Sequence, residues 1–139
     1  MASAGPEVLY VDTSALLRGV LEHGLSPDVE RRLGAARYLI TSRLSLIESA
    51  RALHRLRAQG TPEATLADIA RELDSLWARC TFWELTRDVC ELAAQTAPLH
   101  PLRTLDALHL ATWLIARRRL GDVALLTTDQ RLEQASRIA

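Results

Sequence analysis

Short runs of apolar, β-forming residues alternate along this chain with longer segments of helical periodicity, and this alternation restricts the fold more than any other feature. The apolar runs lie at residues 8–11, 38–41, 81–85 and 123–127. Strands that alternate with helices form parallel sheets with helices on both faces. The sequence therefore predicts an α/β fold of three layers, α/β/α, around a central parallel sheet of four to five strands.

The predicted helices follow from capping residues and from glycines at helix ends. Ser, Thr or Asp precedes most of the helical segments, and Gly24, Gly60 and Gly121 end three of them. The third and fourth helices should form a hairpin around Gln59 and Gly60. The predicted helices cover approximately residues 15–21, 27–33, 45–58, 62–79, 87–97, 105–119 and 130–135.

Length and composition indicate one globular domain over residues 1–139, since 48% of the 139 residues are hydrophobic. We expect a soluble, cytoplasmic protein, because we find neither a signal peptide nor an apolar run that could cross a membrane. Cys80 and Cys90 lack the spacing of a zinc site. Both lie near apolar residues and are expected to be buried free thiols.

The charged residues exclude several chemistries. Lys+Arg and Asp+Glu are both 17, and every basic residue is an arginine. Reactions that need a Schiff-base lysine or a lysine general base are therefore excluded. The neutral balance also argues against nucleic-acid binding through bulk charge alone.

Four acidic residues lie where the strands of such a sheet end. Asp12 and Asp129 follow the first and fourth strands, Glu48 lies shortly after the second, and Asp106 lies in the first turn of a helix. Binding sites in parallel sheets lie at the carboxyl ends of the strands. We therefore expect these four carboxylates to converge on one edge of the sheet.

Each acid also has a purely structural interpretation, because acids commonly cap helices and Ser45 with Glu48 fits a capping box. Taken together, the four acids favour a metal site over four separate helix caps, since converging carboxylates repel one another unless a cation is present. Mg²⁺ and Mn²⁺ prefer oxygen ligands and can promote hydrolysis of a phosphodiester. The pattern therefore predicts a metal-dependent hydrolase.

Four ordered segments that contain these acids resemble the motifs of PIN-domain proteins, especially VapC-type toxins of toxin–antitoxin pairs. Residues 8–17 resemble the opening motif, and residues 45–51 look like the second acidic motif. Residues 105–111 are similar to the third motif, which is the most specific, and residues 126–132 to the fourth. Order and spacing match over nearly the whole chain.

The resemblance implies a Mg²⁺- or Mn²⁺-dependent endoribonuclease with a cognate antitoxin, usually a homodimer. On the family pattern, metal ligands and catalytic residues would be Asp12, Glu48, Asp106 and Asp129, with Ser14 and Thr127 as supporting hydroxyl groups. The helical hairpin around Gly60 resembles the region that often contacts the antitoxin. The resemblance also implies a short final edge strand, for which residues 136–138 are the candidate.

Other functions remain to be weighed. A phosphorelay receiver would need a lysine near the site, and a haloacid-dehalogenase phosphatase would need an Asp at the position of Ser14. The alternatives left open are a catalytically silent PIN-like module that binds protein or RNA, and a PIN-like nuclease that acts on DNA. We interpret His109 as structural or as a support for the acids, because it need not face the same site as Asp106.

Overall fold

The protein is described by a computed structural model that covers residues 7–139. Its elements alternate in the way that the apolar runs predict. The strands are β1 (Val8–Val11), β2 (Tyr38–Ser42), β3 (Cys80–Trp83) and β4 (Ala124–Leu126). The helices are α1 (Thr13–Leu21), α2 (Pro27–Ala35), α3 (Arg43–Ala58), α4 (Glu63–Trp77), α5 (Arg87–Ala93), α6 (Thr104–Leu120) and α7 (Gln130–Ile138).

The four strands form one parallel sheet in the order β3-β2-β1-β4. β1 pairs with β2 on one side, Leu9 opposite Leu39, and with β4 on the other, Leu9 opposite Ala124. The chain thus moves from β1 outward to β3 and then returns to the opposite side of β1. The predicted parallel sheet is confirmed with four strands over the described residues.

Helices cover both faces of the sheet. The side chains of β1 point alternately to the two faces, and the buried side chains on each face pack against helices. Leu9 and Val11 pack with Leu16 and Leu33 of α1 and α2. Tyr10 faces the other way and packs in a core cluster with residues of α6 and α7. The predicted three-layer α/β/α arrangement is confirmed.

The end of the chain differs from the prediction. Residues 136–138, the candidate for a final edge strand, lie in α7. The Asp129 side chain caps this helix by accepting hydrogen bonds from the Arg131 and Leu132 backbone N–H groups. Leu132 and Ala135, three positions apart, are fully buried. Capping and helical spacing therefore favour a helix over a strand here.

The start of α3 also differs from the prediction. Ser42 is the N-cap and accepts a hydrogen bond from the Leu44 N–H, so the helix begins before Ser45. Ser45 and Glu48 do not form the capping box that their spacing allows, because both side chains accept hydrogen bonds from the Thr13 hydroxyl of α1. Ile47, although apolar, lies on the outer face of this helix and is 55% exposed.

Cys80 and Cys90 are both free thiols, and they differ in exposure. Cys80 is partly buried, which raises its pKa to about 11. Cys90 is exposed, so the prediction of a buried thiol is wrong there. Within residues 7–139, no helix combines the length and apolar character that crossing a membrane requires.

Truncation of Leu132 should separate a packed α7 from an alternative strand at the end of the chain. Leu132→Ala removes a fully buried side chain, and we expect it to lower the free energy of unfolding by about 2–5 kcal/mol. Ile138→Ala, at a position 63% exposed, should change it by less than about 0.5 kcal/mol. Urea denaturation measures both variants, and a larger loss at Ile138 than at Leu132 would contradict the helix.

Candidate active site

The candidate site lies where the topology of the sheet changes direction, between β1 and β4. Connections lead from β1 to β2 on one side, whereas β4 lies on the other. Such a switch point leaves a crevice at the carboxyl ends of the two strands, which is where parallel sheets bind ligands. Asp12 directly follows β1, and Thr127 directly follows β4. The Asp12 side chain lines this crevice, and the Thr127 hydroxyl donates to its carboxylate.

Asp12 is 3% exposed and is held by hydrogen bonds from both strand ends. Its Oδ1 accepts from the Ala15 N–H at 3.1 Å, which makes it the N-cap of α1, and from the Ser14 hydroxyl at 2.8 Å. Its Oδ2 accepts from the Thr127 hydroxyl at 2.7 Å. Ser14 and Thr127, singled out as supporting hydroxyl groups, thus both donate to this carboxylate.

Asp106 and Asp129 lie close to a third charged group, Arg103. Arg103 Nε is 3.3 Å from Asp106 Oδ2, and one of its terminal nitrogens is 3.9 Å from Asp129 Oδ2. Only 15% of the Asp106 side chain and 22% of the Asp129 side chain are exposed. Asp129 therefore has two contacts at once, because it also caps α7.

Glu48 is joined to the core by a chain of buried side chains. Its Oε1 accepts from the Thr13 hydroxyl at 2.7 Å and from His109 Nε2 at 2.7 Å. The other ring nitrogen of His109 lies 2.8 Å from the Tyr10 hydroxyl. Because a carboxylate can only accept, His109 Nε2 carries a proton and donates it to Glu48, while Nδ1 shares a hydrogen bond with the Tyr10 hydroxyl. Glu48 is thereby fixed relative to β1 and α6.

The four predicted acids, Asp12, Glu48, Asp106 and Asp129, line a single pocket together with Arg55, Arg103 and His109. The donor set consists of carboxylate and hydroxyl oxygens, which suits a hard divalent cation such as Mg²⁺ or Mn²⁺. In their present positions, no three His, Cys, Asp or Glu side chains of the described chain form a ready-made ligand set. The chemistry of the pocket therefore fits the ion, and its side chains would have to draw closer around it.

The carboxylates respond differently to their surroundings. Burial raises the pKa of Asp12, and the hydrogen bonds that it accepts only partly oppose this. Burial also acts to raise the pKa of Glu48, but hydrogen bonds from His109 and Thr13 outweigh it and the net pKa is lowered. Glu48 is therefore ionised at neutral pH, whereas Asp12 binds a proton more readily than an exposed aspartate.

Sequence reasoning missed several residues of this pocket. His109 was judged free to face away from Asp106, yet residues three positions apart in a helix lie on one face, and both line the pocket. That spacing was a usable signal. Tyr10 was assigned only to a buried strand, and Thr13 only to a cap. No sequence pattern distinguishes Arg103 from the other arginines.

The sequence of nearly the whole chain, including every residue that lines the pocket, matches a known family. Residues 9–138 match the PIN domain. The chain belongs to the PIN-domain family. It is 32% identical over 140 residues to ribonuclease VapC45 of Mycobacterium tuberculosis, which covers 99% of this chain and 88% of that protein. It is 31% identical over 131 residues to ribonuclease VapC35 of the same species, covering 93% of this chain and 90% of that one.

Two solved structures share the fold of this chain. The PAE2754 protein of Pyrobaculum aerophilum superposes with a TM-score of 0.66 at 20% identity, over 96% of this chain and 82% of that chain. VapC20 of Mycobacterium tuberculosis, a sarcin-ricin loop cleaving toxin, superposes with a TM-score of 0.61 at 20% identity, over 91% of this chain and 94% of that chain. These likenesses agree with the three-layer PIN fold.

Removal of the Tyr10 hydroxyl should test the buried chain that ends at Glu48. Tyr10→Phe leaves His109 Nδ1 buried without its partner, and we expect a loss of about 1–3 kcal/mol in the free energy of unfolding. Tyr38→Phe is the matched control, because Tyr38 lies on the neighbouring strand and is 56% exposed. Urea denaturation in EDTA gives both values. Equal stability of the two variants would mean that the buried hydroxyl does not hold the ring.

The raised pKa of Asp12 predicts a pH dependence of stability in the metal-free PIN domain. The folded state binds this proton more readily than the unfolded state, so Asp12 stabilises the fold more as pH falls through the raised pKa. Relative to Asp12→Asn, the wild type should therefore gain stability between about pH 7 and about pH 4.

Urea denaturation at a series of pH values measures that difference, with EDTA present. Asp122→Asn is the control, because Asp122 is exposed and its substitution should give no such trend. A difference between wild type and Asp12→Asn that is independent of pH, or that shrinks as pH falls, would contradict the raised pKa.

Proposed function

We propose that this protein is a metal-dependent endoribonuclease and the toxin of a toxin–antitoxin pair, hydrolysing RNA phosphodiesters with Mg²⁺ or Mn²⁺. One observation carries the proposal. Four acids that are far apart in sequence, Asp12, Glu48, Asp106 and Asp129, line one pocket at the switch point of a parallel sheet. Membership of the PIN-domain family and relatives named VapC ribonucleases support the same activity.

The acids divide between two tasks. Asp12, Asp106 and Asp129 would hold the principal ion, and Glu48 would hold a second ion or orient the attacking water. When bound, Mg²⁺ or Mn²⁺ supplies an activated water and stabilises negative charge on the phosphate and the leaving oxygen. Ser14 donates to Asp12 and thereby keeps that carboxylate turned toward the crevice.

Glu48 is placed to accept a proton from the attacking water. Its Oε1 is occupied by the hydrogen bonds from Thr13 and His109. Its Oε2 makes no hydrogen bond to another described residue and is available to the pocket. Because its pKa is lowered, the carboxylate is ionised at neutral pH and can accept a proton. In-line attack by that water would break the bond from phosphorus to the 3′ oxygen, which leaves and takes up a proton from solvent, so that one product carries a 5′-phosphate and the other a 3′-hydroxyl.

The substrate, the partner and the location of the protein belong to the same proposal. RNA is favoured over DNA because the relatives are named ribonucleases. The resemblance to VapC-type toxins extends the proposal to a cognate antitoxin as partner, to a homodimer and to a cytoplasmic location. The helical hairpin of α3 and α4 around Gly60 remains the predicted antitoxin contact. A recessed acidic pocket favours single-stranded or loop RNA, whose nucleotides can splay outward.

Cleavage of labelled total RNA by the purified, antitoxin-free protein is the test of this function. With Mn²⁺ we expect discrete cuts that EDTA abolishes. Asp106→Asn should reduce the cleavage rate by at least about 100-fold, beyond the 10–100-fold typical of groups that only support a metal ligand. Asp88→Asn is the matched control, because Asp88 also lies in the first turn of a helix and is exposed.

The products separate this proposal from the alternatives. Equal RNA profiles for folded wild type and Asp106→Asn would favour a catalytically silent binding module. Cuts in single-stranded DNA but not in RNA would favour a DNA nuclease. A 2′,3′-cyclic phosphate formed in EDTA would contradict hydrolysis by an activated water.

A further inference from the structure

Arg103 lies between two of the acids that are proposed to hold the metal. Its guanidinium contacts Asp106 at 3.3 Å and Asp129 at 3.9 Å, while 77% of the side chain is exposed. Its charge also acts to lower the pKa of Glu48. A positive charge therefore acts on three of the four carboxylates.

The position of Arg103 has no evident structural purpose. It is the N-cap residue of α6, and its side chain makes no capping hydrogen bond. Ser, Thr, Asp and Asn are the residues that stabilise an N-cap, and a cation opposes the positive end of the helix dipole. An exposed ion pair with Asp106 adds little stability. The residue is better explained by the pocket than by the helix.

Several other exposed arginines pair with acids outside the pocket. Arg18, Arg87 and Arg137 pair with glutamates one helical turn away on their own helices. Arg103 contacts only acids that line the pocket. Arg55 lines the same pocket and makes no salt bridge within residues 7–139. The two arginines therefore share a location and differ in their contact with the acids.

We propose that Arg103 is a substrate-binding residue: its guanidinium pairs with Asp106 and Asp129 when no metal is bound, and contacts an RNA phosphate once a divalent cation has replaced it. The inference rests on the proposed function. An ion that takes these carboxylates competes with the guanidinium for the same oxygens. The displaced side chain is exposed and flexible, and its fork of N–H donors matches a phosphate.

Electrostatics favour this exchange. Four acids and two arginines line the pocket, so its net charge is negative and repels a polyanion while no metal is present. In that state Arg103 contacts the carboxylates of Asp106 and Asp129 and does not contact RNA. Once divalent charge is added, the pocket no longer repels phosphate, and the same guanidinium is free to bind it. Arg103 would thus couple RNA binding to metal binding.

Metal affinity without RNA is the first test. Calorimetric titration with Mn²⁺ should give about two- to five-fold tighter binding to Arg103→Gln than to wild type, because a competing cation has been removed. Arg55→Gln should give a smaller change, and the exposed control Arg87→Gln none. Urea denaturation confirms that each variant is folded. Equal or weaker Mn²⁺ binding by Arg103→Gln would overturn the competition.

RNA binding is the second test, with a short fluorescein-labelled single-stranded RNA and Ca²⁺ as an oxygen-preferring ion; a gel confirms that the RNA stays intact. Fluorescence anisotropy against salt should show that Arg103→Gln lowers the slope of log K against log[salt] by about 0.7, as expected for one lost phosphate contact to a single strand. Arg103→Lys should keep that slope, with weaker binding. In EDTA, wild type and Arg103→Gln should have the same slope.

The outcomes separate this inference from the proposed function. A wild type that binds no Mn²⁺ and cuts no RNA overturns the proposed function and this inference with it. This inference alone is overturned if the wild type binds Mn²⁺ and cuts RNA but Arg103→Gln has the same salt slope as the wild type in Ca²⁺. A slope that falls equally in Ca²⁺ and in EDTA would show that Arg103 contacts RNA without the exchange, and would also overturn it.

Discussion

Repulsion among four carboxylates is the constraint around which this end of the sheet is organised. Asp12, Glu48, Asp106 and Asp129 line one pocket, and such charges stay together only if donors or cations oppose them. Each acid has its own compensation, which is a hydroxyl, a backbone N–H, an imidazole or a guanidinium. The fold thus holds the acids in place without a metal, and leaves enough unbalanced charge to attract one.

Structural and functional roles of the acids coincide in this protein. Asp12 and Asp129 cap α1 and α7, so the same carboxylates that could bind a metal also start the helices that follow β1 and β4. An interpretation as helix caps and an interpretation as ligands therefore do not exclude each other. Because each cap fixes its carboxylate at a strand end, these two acids are held in position before any ligand binds, which reduces the cost of ordering them on binding.

The sequence predicted what depends on local pattern and missed what depends on distant contacts. Apolar runs and capping residues located the four strands and placed Asp12 and Asp129 at their ends. The Tyr10–His109–Glu48 chain joins residues up to 99 positions apart, and no local pattern records such a pairing. The errors at Ser45 and Ile138 have a similar origin, since Ser42 and Asp129 supplied helix caps that outweighed the expected motif. Ligand roles for the four acids remain predictions.

The pocket is assembled from both ends of the chain. The Thr127 hydroxyl reaches back across 115 positions to Asp12, and the Thr128 N–H donates to Ser14. Domains emerge from the ribosome N-terminus first, so Asp12 lacks its Thr127 partner until the chain has been translated beyond that residue. A nascent chain therefore lacks the complete site. A ribonuclease built in this way would lack its complete site while it is still being made.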